Sequence, residues 1–249
     1  MTQADSAPLE QRSTTTKLAI VVALAVERAC LKDMRDLRRR DVAIAQSGPG
    51  ARHATSAAAA AVASGATALM SFGLAGALDA KLRPGAVVIP ERIVTPEPRI
   101  VVTDTDWRRR IREALAGKFD IAERPLLSSE RVLGDPMLKA EAARVHAAIA
   151  CDLESAAIGC VAAEAHVPFV ALRVVADAAE DCLPQAVEAW VDADGNNRIG
   201  PFLRALSNPS QWRPISTLVN RFGVARRTLT AVARHLESAD FGLAPASRD

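Results

Sequence analysis

The chain of 249 residues is long enough for one large domain or two small ones, with a sizeable buried core. Its 49% hydrophobic and 24% charged residues, with a formal net charge of +2, exclude a disordered, collagen-like or strongly polyelectrolyte chain. The longest unbroken apolar run, Leu18–Val26, spans nine residues against the roughly 20 that a membrane-crossing helix needs, so no such helix is expected.

Residues 1–16 are polar and aperiodic and read as a disordered leader. Asp5 and Glu10 before the apolar run, and Glu27 and Arg28 after it, do not fit a secretory signal, so a cytoplasmic location is expected. The run from Leu18 and the stretch Val42–Gln46 read as two buried strands flanking a short helix. Ser47, Gly48 and Gly50 then make a turn into an Ala-rich helix reaching Ser64. A further buried strand, Ala68–Phe72, is expected to end in the small-residue stretch Gly73–Gly76, and a turn at Pro84-Gly85 leads into a strand over Ala86–Ile89.

Helical spacing returns over Asp106–Ala116, followed by a short strand at Pro125–Leu127. Asp135–Ala148 reads as an amphipathic helix with Pro136 in its first turn. Then come a short strand ending at Cys151, a helix over Glu154–Ala165 and a strand over Pro168–Val175, closed by Asp177, Glu180 and Asp181. Strands alternating with helices imply an α/β fold, a three-layer α/β/α sandwich with a mixed central sheet. From about residue 184 the tail is a helical, Arg-rich extension of the same domain, 17–249. In it Ile215, Leu218, Val219, Phe222, Leu229, Val232 and Leu236 recur at helical spacing, with Arg213, Arg221, Arg226, Arg227 and Arg234 between them. Such a stripe either packs on the sheet or lies on an anionic membrane as a peripheral contact.

Arg supplies 26 of the 31 basic residues, and residues 198–249 carry a net +5 without aromatic interleaving, which argues against nucleic-acid binding. Cys30, Cys151, Cys160 and Cys182 have no CxxC pairing or His partner, so they read as reduced thiols, and no metal site is expected. His53, His146, His166 and His235 fit no catalytic pattern.

In open α/β sheets ligands gather beyond the carboxyl ends of strands. Polar groups there are Glu27, Ser47–Gly50, Gly73–Gly76 and Asp177, with Glu154 near the same crevice. A glycine turn opening a helix presents N–H groups to an anion or hydroxyl, and Arg52 just beyond it is either solvent-facing or aimed at such an anion.

Ser47-Gly48-Pro49-Gly50, Ser71–Leu78 with Leu82–Gly85 and Val87–Pro90, Cys151–Ala157, and Val167–Val170 with Arg173 and Asp177 resemble, in order and spacing, the superfamily of nucleoside phosphorylases and adenosylhomocysteine/methylthioadenosine nucleosidases. Within it the sequence is most similar to the hopanoid-associated branch, which removes adenine from adenosylhopane. The resemblance implies an enzyme that cleaves the N-glycosidic bond of an adenosyl substrate, one that is lipid-linked if the branch is right. Asp177 would protonate or hydrogen-bond the purine N7. Glu154 would bind the ribose hydroxyls and steady the cation-like sugar. Leu153 would pack on the ribose, and Val132 and Leu133 would line the purine. Glu27 would activate water, which a carboxylate of raised pKa in an apolar crevice suits. No organic cofactor is implied, inorganic phosphate is a candidate co-substrate, and a homo-oligomer is expected.

Three departures stand beside this. Phe72 and Leu74 occupy positions where phosphate-binding relatives keep polar groups, and Ala176 stands where nucleosidases commonly have Ser before the aspartate. Phosphorolysis is nonetheless slightly preferred on resemblance. A methylthioadenosine/adenosylhomocysteine nucleosidase and a non-catalytic nucleoside- or lipid-binding protein are the other two readings.

Overall fold

The computed structural model describes residues 16–32, 34, 41–183 and 212–243, with side chains from residue 220 onward in the last segment. The leader expected over 1–16, apart from Thr16, and the tail between 184 and 211 lie outside the described residues.

In chain order the first half comprises β1 (Leu18–Val22), α1 (Ala25–Cys30), β2 (Val42–Gln46), α2 (Ala51–Ala63), β3 (Ala68–Ala77), β4 (Val87–Val88), β5 (Arg92–Val94) and β6 (Ile100–Val102). The second half comprises α3 (Thr105–Leu115), β7 (Ile121–Ala122), β8 (Leu126–Ser128), α4 (Pro136–His146), β9 (Ala150–Asp152), α5 (Ser155–Glu164), β10 (Phe169–Asp177) and α6 (Trp212–Ser238). The strands form one sheet in the order β6-β5-β8-β9-β3-β10-β4-β7, with β1 on the edge of β3 and β2 beyond it. The sheet is mixed: β1, β2, β3 and β10 run parallel, while β9 and β4 run antiparallel to β3 and β10 respectively.

Strand alternation builds two cores and so three layers. Leu18, Ile20 and Val22 of β1 and Val170, Leu172 and Val174 of β10 pack with Trp107, Ile111 and Leu115 of α3 and with Leu229, Val232 and Leu236 of α6. The intervening Ala19, Val21, Phe169, Ala171 and Val175 pack on the other face with Ala54 and Ala58 of α2 and Ile158, Val161 and Ala162 of α5. The α/β/α sandwich read from the sequence is therefore the observed fold.

One reading of the sequence is corrected and one alternative is decided. The strand expected to stop at Phe72 continues through Gly73 and Gly76 to Ala77, because β10 pairs with β3 over its whole upper half, Arg173 opposite Gly73 and Asp177 opposite Gly76. Of the two placements open to the apolar stripe of the tail, the described Leu229, Val232 and Leu236 take packing on the sheet: they are at most 1% exposed and form part of the core. The side chains of Arg213, Ile215, Leu218 and Val219 lie outside the described residues, and no described helix is long and apolar enough to cross a membrane. The end of α6 is tied down where Trp107 Nε1 donates to Phe241 O at 2.7 Å and Arg110 Nε to Gly242 O at 2.6 Å.

Candidate active site

The site arises from an interruption in strand pairing. β1 pairs with β3 only as far as Ser71, and β9, approaching from the opposite direction, pairs with the same strand only at Gly76 and Ala77. The carboxyl ends of β1 and β9 thus face each other across the stretch Phe72–Ala75. Backbone donors on an unpaired strand edge need other partners. Leu74 N–H finds one in the Glu27 carboxylate, at 2.8 Å from Oε1.

Glu27 sits in the first turn of α1, and its other oxygen accepts from Ala23 N–H and Leu24 N–H, each at 2.9 Å. The same contact caps the helix, since an N3 glutamate reaching back to the N-cap N–H is half of a capping box. Glu27 is 3% exposed. Burial pushes its carboxyl above the usual carboxylate range, with Arg173 and the three N–H donors opposing that rise.

Arg173 of β10 is fully buried and anchors the floor. Its Nε donates to Asp152 Oδ2 at 2.8 Å, and Nη2 reaches the same oxygen at 2.6 Å, Ser71 Oγ at 2.7 Å and Ser155 Oγ at 3.0 Å. A Cβ at position 73 would lie 2.5 Å from Arg173 Nη1 and closer still to Glu27 Oε1, so only glycine lets this cation and this carboxylate meet at β3. The side chains of Phe72 and Leu74 pack into the opposite core, on the α3 and α6 side. Their apolar character therefore leaves the polar face at Gly73 untouched and does not bear on phosphate binding there.

Glu154 closes the same gap from β9. Its Oε1 accepts from Gly50 N–H at 2.7 Å, and Gly50, with φ of 91°, is the N-cap of α2. The glycine turn thus presents its N–H to a carboxylate of the protein itself. Gly48, also at positive φ, donates to Ala23 O at 3.1 Å and holds the turn against β1. Arg52 is exposed, and His53 Nδ1 stays within its own helix turn, 2.9 Å from Pro49 O.

Burial, then the neighbouring Asp152 charge, push Glu154 up to about 7, with Arg173 and the Gly50 N–H opposing. A carboxyl whose folded pKa exceeds its unfolded 4.5 favours folding when protonated, so this stability is complete below pH 4.5 and is lost as pH rises through about 7. The melting temperature of the wild type is accordingly expected to fall more steeply than that of Glu154→Gln between about pH 5 and pH 8. Parallel melting curves for the two proteins would refute it.

Asp177 ends β10 one strand over, 7% exposed, and its Oδ2 pairs with Lys139 Nζ at 2.5 Å. Burial raises its pKa, and the Lys139 ammonium opposes the rise. A Cβ on Gly76 would lie 3.2 Å from both Asp177 oxygens and 3.5 Å from Cys151 Sγ, so the second glycine makes room for the acid. Burial and the Asp177 charge push the Cys151 thiol up to about 12, and all four cysteines are free. The chain after Asp177 returns to the 132–134 loop, where Leu183 N–H donates to Gly134 O at 2.8 Å. Val132, Leu133 and Leu153 are half-buried, and Leu133 packs against the cluster of Leu78, Leu127, Ala148 and Cys151.

Sequence reading missed Asp152 as the partner of Arg173, and Lys139. The signal for Lys139 was present in composition: it is one of five lysines in an Arg-dominated chain, on the face of α4 that packs inward. Among the described residues no group of three or more His, Cys, Asp or Glu side chains is arranged to hold a metal ion.

No curated protein matches the chain in sequence. Solved structures share the fold. The 5'-methylthioadenosine/S-adenosylhomocysteine nucleosidase of Helicobacter pylori superimposes with a TM-score of 0.68 at 15% identity, covering 92% of this chain and 99% of that one. The enzyme of the same name from Neisseria meningitidis, in complex with methylthio-immucillin-A, gives 0.67 at 18% identity over 90% and 99% of the two chains. The futalosine hydrolase of Helicobacter pylori gives 0.68 at 15%, over 92% and 99%. The phosphorylase superfamily model matches residues 34–206, a span that contains β3, β9 and β10 with the glycines, Glu154, Arg173 and Asp177. The protein whose strand ends meet around these groups belongs to the phosphorylase superfamily.

Proposed function

We propose that this protein cleaves the N-glycosidic bond of an adenosine-type nucleoside and releases adenine. The observation that carries the reading is the meeting of Glu27, bonded to the edge of β3 at Leu74, with Glu154, bonded to the N-cap of α2 at Gly50 and within electrostatic reach of Glu27 and Arg173, while Asp177 ends the adjoining strand. Each carboxyl group has a separate task. As the bond between the anomeric carbon and N9 breaks, its electron pair leaves with the base, and Asp177 delivers a proton to N7 so that adenine departs neutral. The sugar is left cation-like, and the Glu154 carboxylate, held by Gly50 N–H, stabilises that charge. Water then attacks the anomeric carbon and yields its proton to Glu27.

Water as nucleophile is the version that the local electrostatics support. Leu74 N–H, a backbone donor that an incoming phosphate would need, is already bonded to Glu27. Around it stand Glu27, Glu154 and Asp152, and Arg173, the buried cation beside them among the described residues, is already paired to Asp152. A phosphate dianion brought there meets carboxylates at close range in a low-dielectric pocket, where like charges repel strongly.

For the substrate, the sequence likeness to the hopanoid-associated branch supports adenosylhopane. A second reading, methylthioadenosine or adenosylhomocysteine, is favoured by the likeness to nucleosidases named for those compounds. Adenine release from all three, with and without inorganic phosphate, tests every part. We expect phosphate-independent release of adenine and a free ribosyl product from one of them. A ribosyl 1-phosphate product requires phosphorolysis instead, and no adenine from any of the three leaves a non-catalytic binding protein.

A further inference from the structure

Lys139 is the least expected buried group in the molecule. It lies near the start of α4, is 1% exposed, and takes no part in the chemistry assigned above. Enclosing an ammonium costs several kcal/mol unless it is paired and fully hydrogen-bonded, and a methionine there would fill the same volume without that penalty. Its three N–H donors all have acceptors: Asp177 Oδ2 at 2.5 Å, Ala178 O at 2.8 Å and Asp181 O at 3.2 Å. It has no donor left for a substrate. All three acceptors belong to the end of β10 and the turn that follows it, which is closed by Ala178 N–H donating to Asp181 Oδ2 at 2.8 Å and is held from α6 by the Arg221–Asp181 ion pair.

Resting on the catalytic reading of Asp177, we propose that Lys139 is the positioning residue of the acid: it fixes one carboxylate oxygen and the turn behind it, so that Oδ1 is the atom offered to the base. No hydrogen bond to Oδ1 is seen among the described residues. Ala176, the neighbour on β10, turns into the opposite core and has no hydroxyl to share the task. The charged groups facing Asp177 are Lys139 from α4, Asp181 from the turn and Arg221 from α6, and beside it from β9 stands the Cys151 thiol, protonated at neutral pH. Lys139 is the largest of the influences that favour the ionised carboxylate, so it sets both where the acid points and how readily it gives up its proton.

The test compares Lys139→Met, Lys139→Gln and Lys139→Arg with the wild type. The midpoint of the Asp177 carboxyl titration is followed by carbon-13 NMR, with Asp177→Asn identifying the signal, and the kcat and KM of adenine release are measured across pH. Loss of the ammonium is expected to raise the Asp177 midpoint by about 1 unit or more. The alkaline limb of kcat should move upward with it, and kcat should fall roughly 10- to 100-fold through misorientation while KM changes little. Lys139→Arg, which keeps the charge, should hold the midpoint near that of the wild type. An unchanged midpoint in a folded Lys139→Met or Lys139→Gln protein overturns the proposal, as does unchanged kcat in either. If the wild type releases no adenine, the catalytic reading fails by itself, and the carboxyl titration alone still decides whether Lys139 governs Asp177.

Discussion

Asp177→Asn is expected to slow adenine release roughly 100-fold or more, the loss that follows removal of a general acid. The substitution is close to isosteric and its carbonyl oxygen still accepts from Lys139 Nζ, so the turn from Ala178 to Asp181 keeps its anchor. What disappears is the proton. Adenine leaving as an anion is a far poorer leaving group than adenine protonated at N7, and among the described residues nothing else at the end of β10 replaces the donor: Lys139 is saturated and Cys151, pushed up to about 12, is too weak an acid. Steady-state kinetics on the substrate found by the release assay, with circular dichroism to establish folding, measure the effect. A folded Asp177→Asn protein with near wild-type turnover would remove Asp177 from the mechanism.

Glu27→Gln is expected to lower turnover by about 100- to 10,000-fold, the range for loss of a general base. Its structural effect separates it from Asp177→Asn. The carboxylate accepts from Ala23, Leu24 and Leu74, and a glutamine turns one of those acceptors into an NH2 group facing an N–H donor. A buried donor left unsatisfied in this way costs about 1–3 kcal/mol, so a lower melting temperature should accompany the lost activity. If the nucleophile is water, the residual activity of Glu27→Gln stays independent of phosphate. Stimulation of the variant by phosphate would show that removing the carboxylate uncovers an anion site, and would argue for phosphorolysis in the native enzyme.

Much of this architecture was determined by the sequence acting locally. The uninterrupted apolar runs at Leu18 and Val170 make buried strands, the alanines after Gly50 make α2, and Asp135 before Pro136 caps α4 by accepting from Met137 and Leu138 N–H. β5, β6 and β7, of two or three residues each, are too short to leave a periodic signal and exist only because neighbouring strands supply their hydrogen bonds. Glu27, Glu154 and Asp177 were legible as carboxylates following apolar runs. Their working environment was not, because it depends on contacts between residues far apart in the chain. Leu74 is 47 residues from Glu27, Gly50 is 104 from Glu154, and Lys139 is 38 from Asp177. Periodicity reports which face of a strand is buried, but only tertiary pairing decided where β1 stops along β3, which side of the sheet receives Phe72 and Leu74, and that Leu229, Val232 and Leu236 of α6 face the core. Those choices lower the free energy of the whole packed sheet, and no window of local sequence carries that sum.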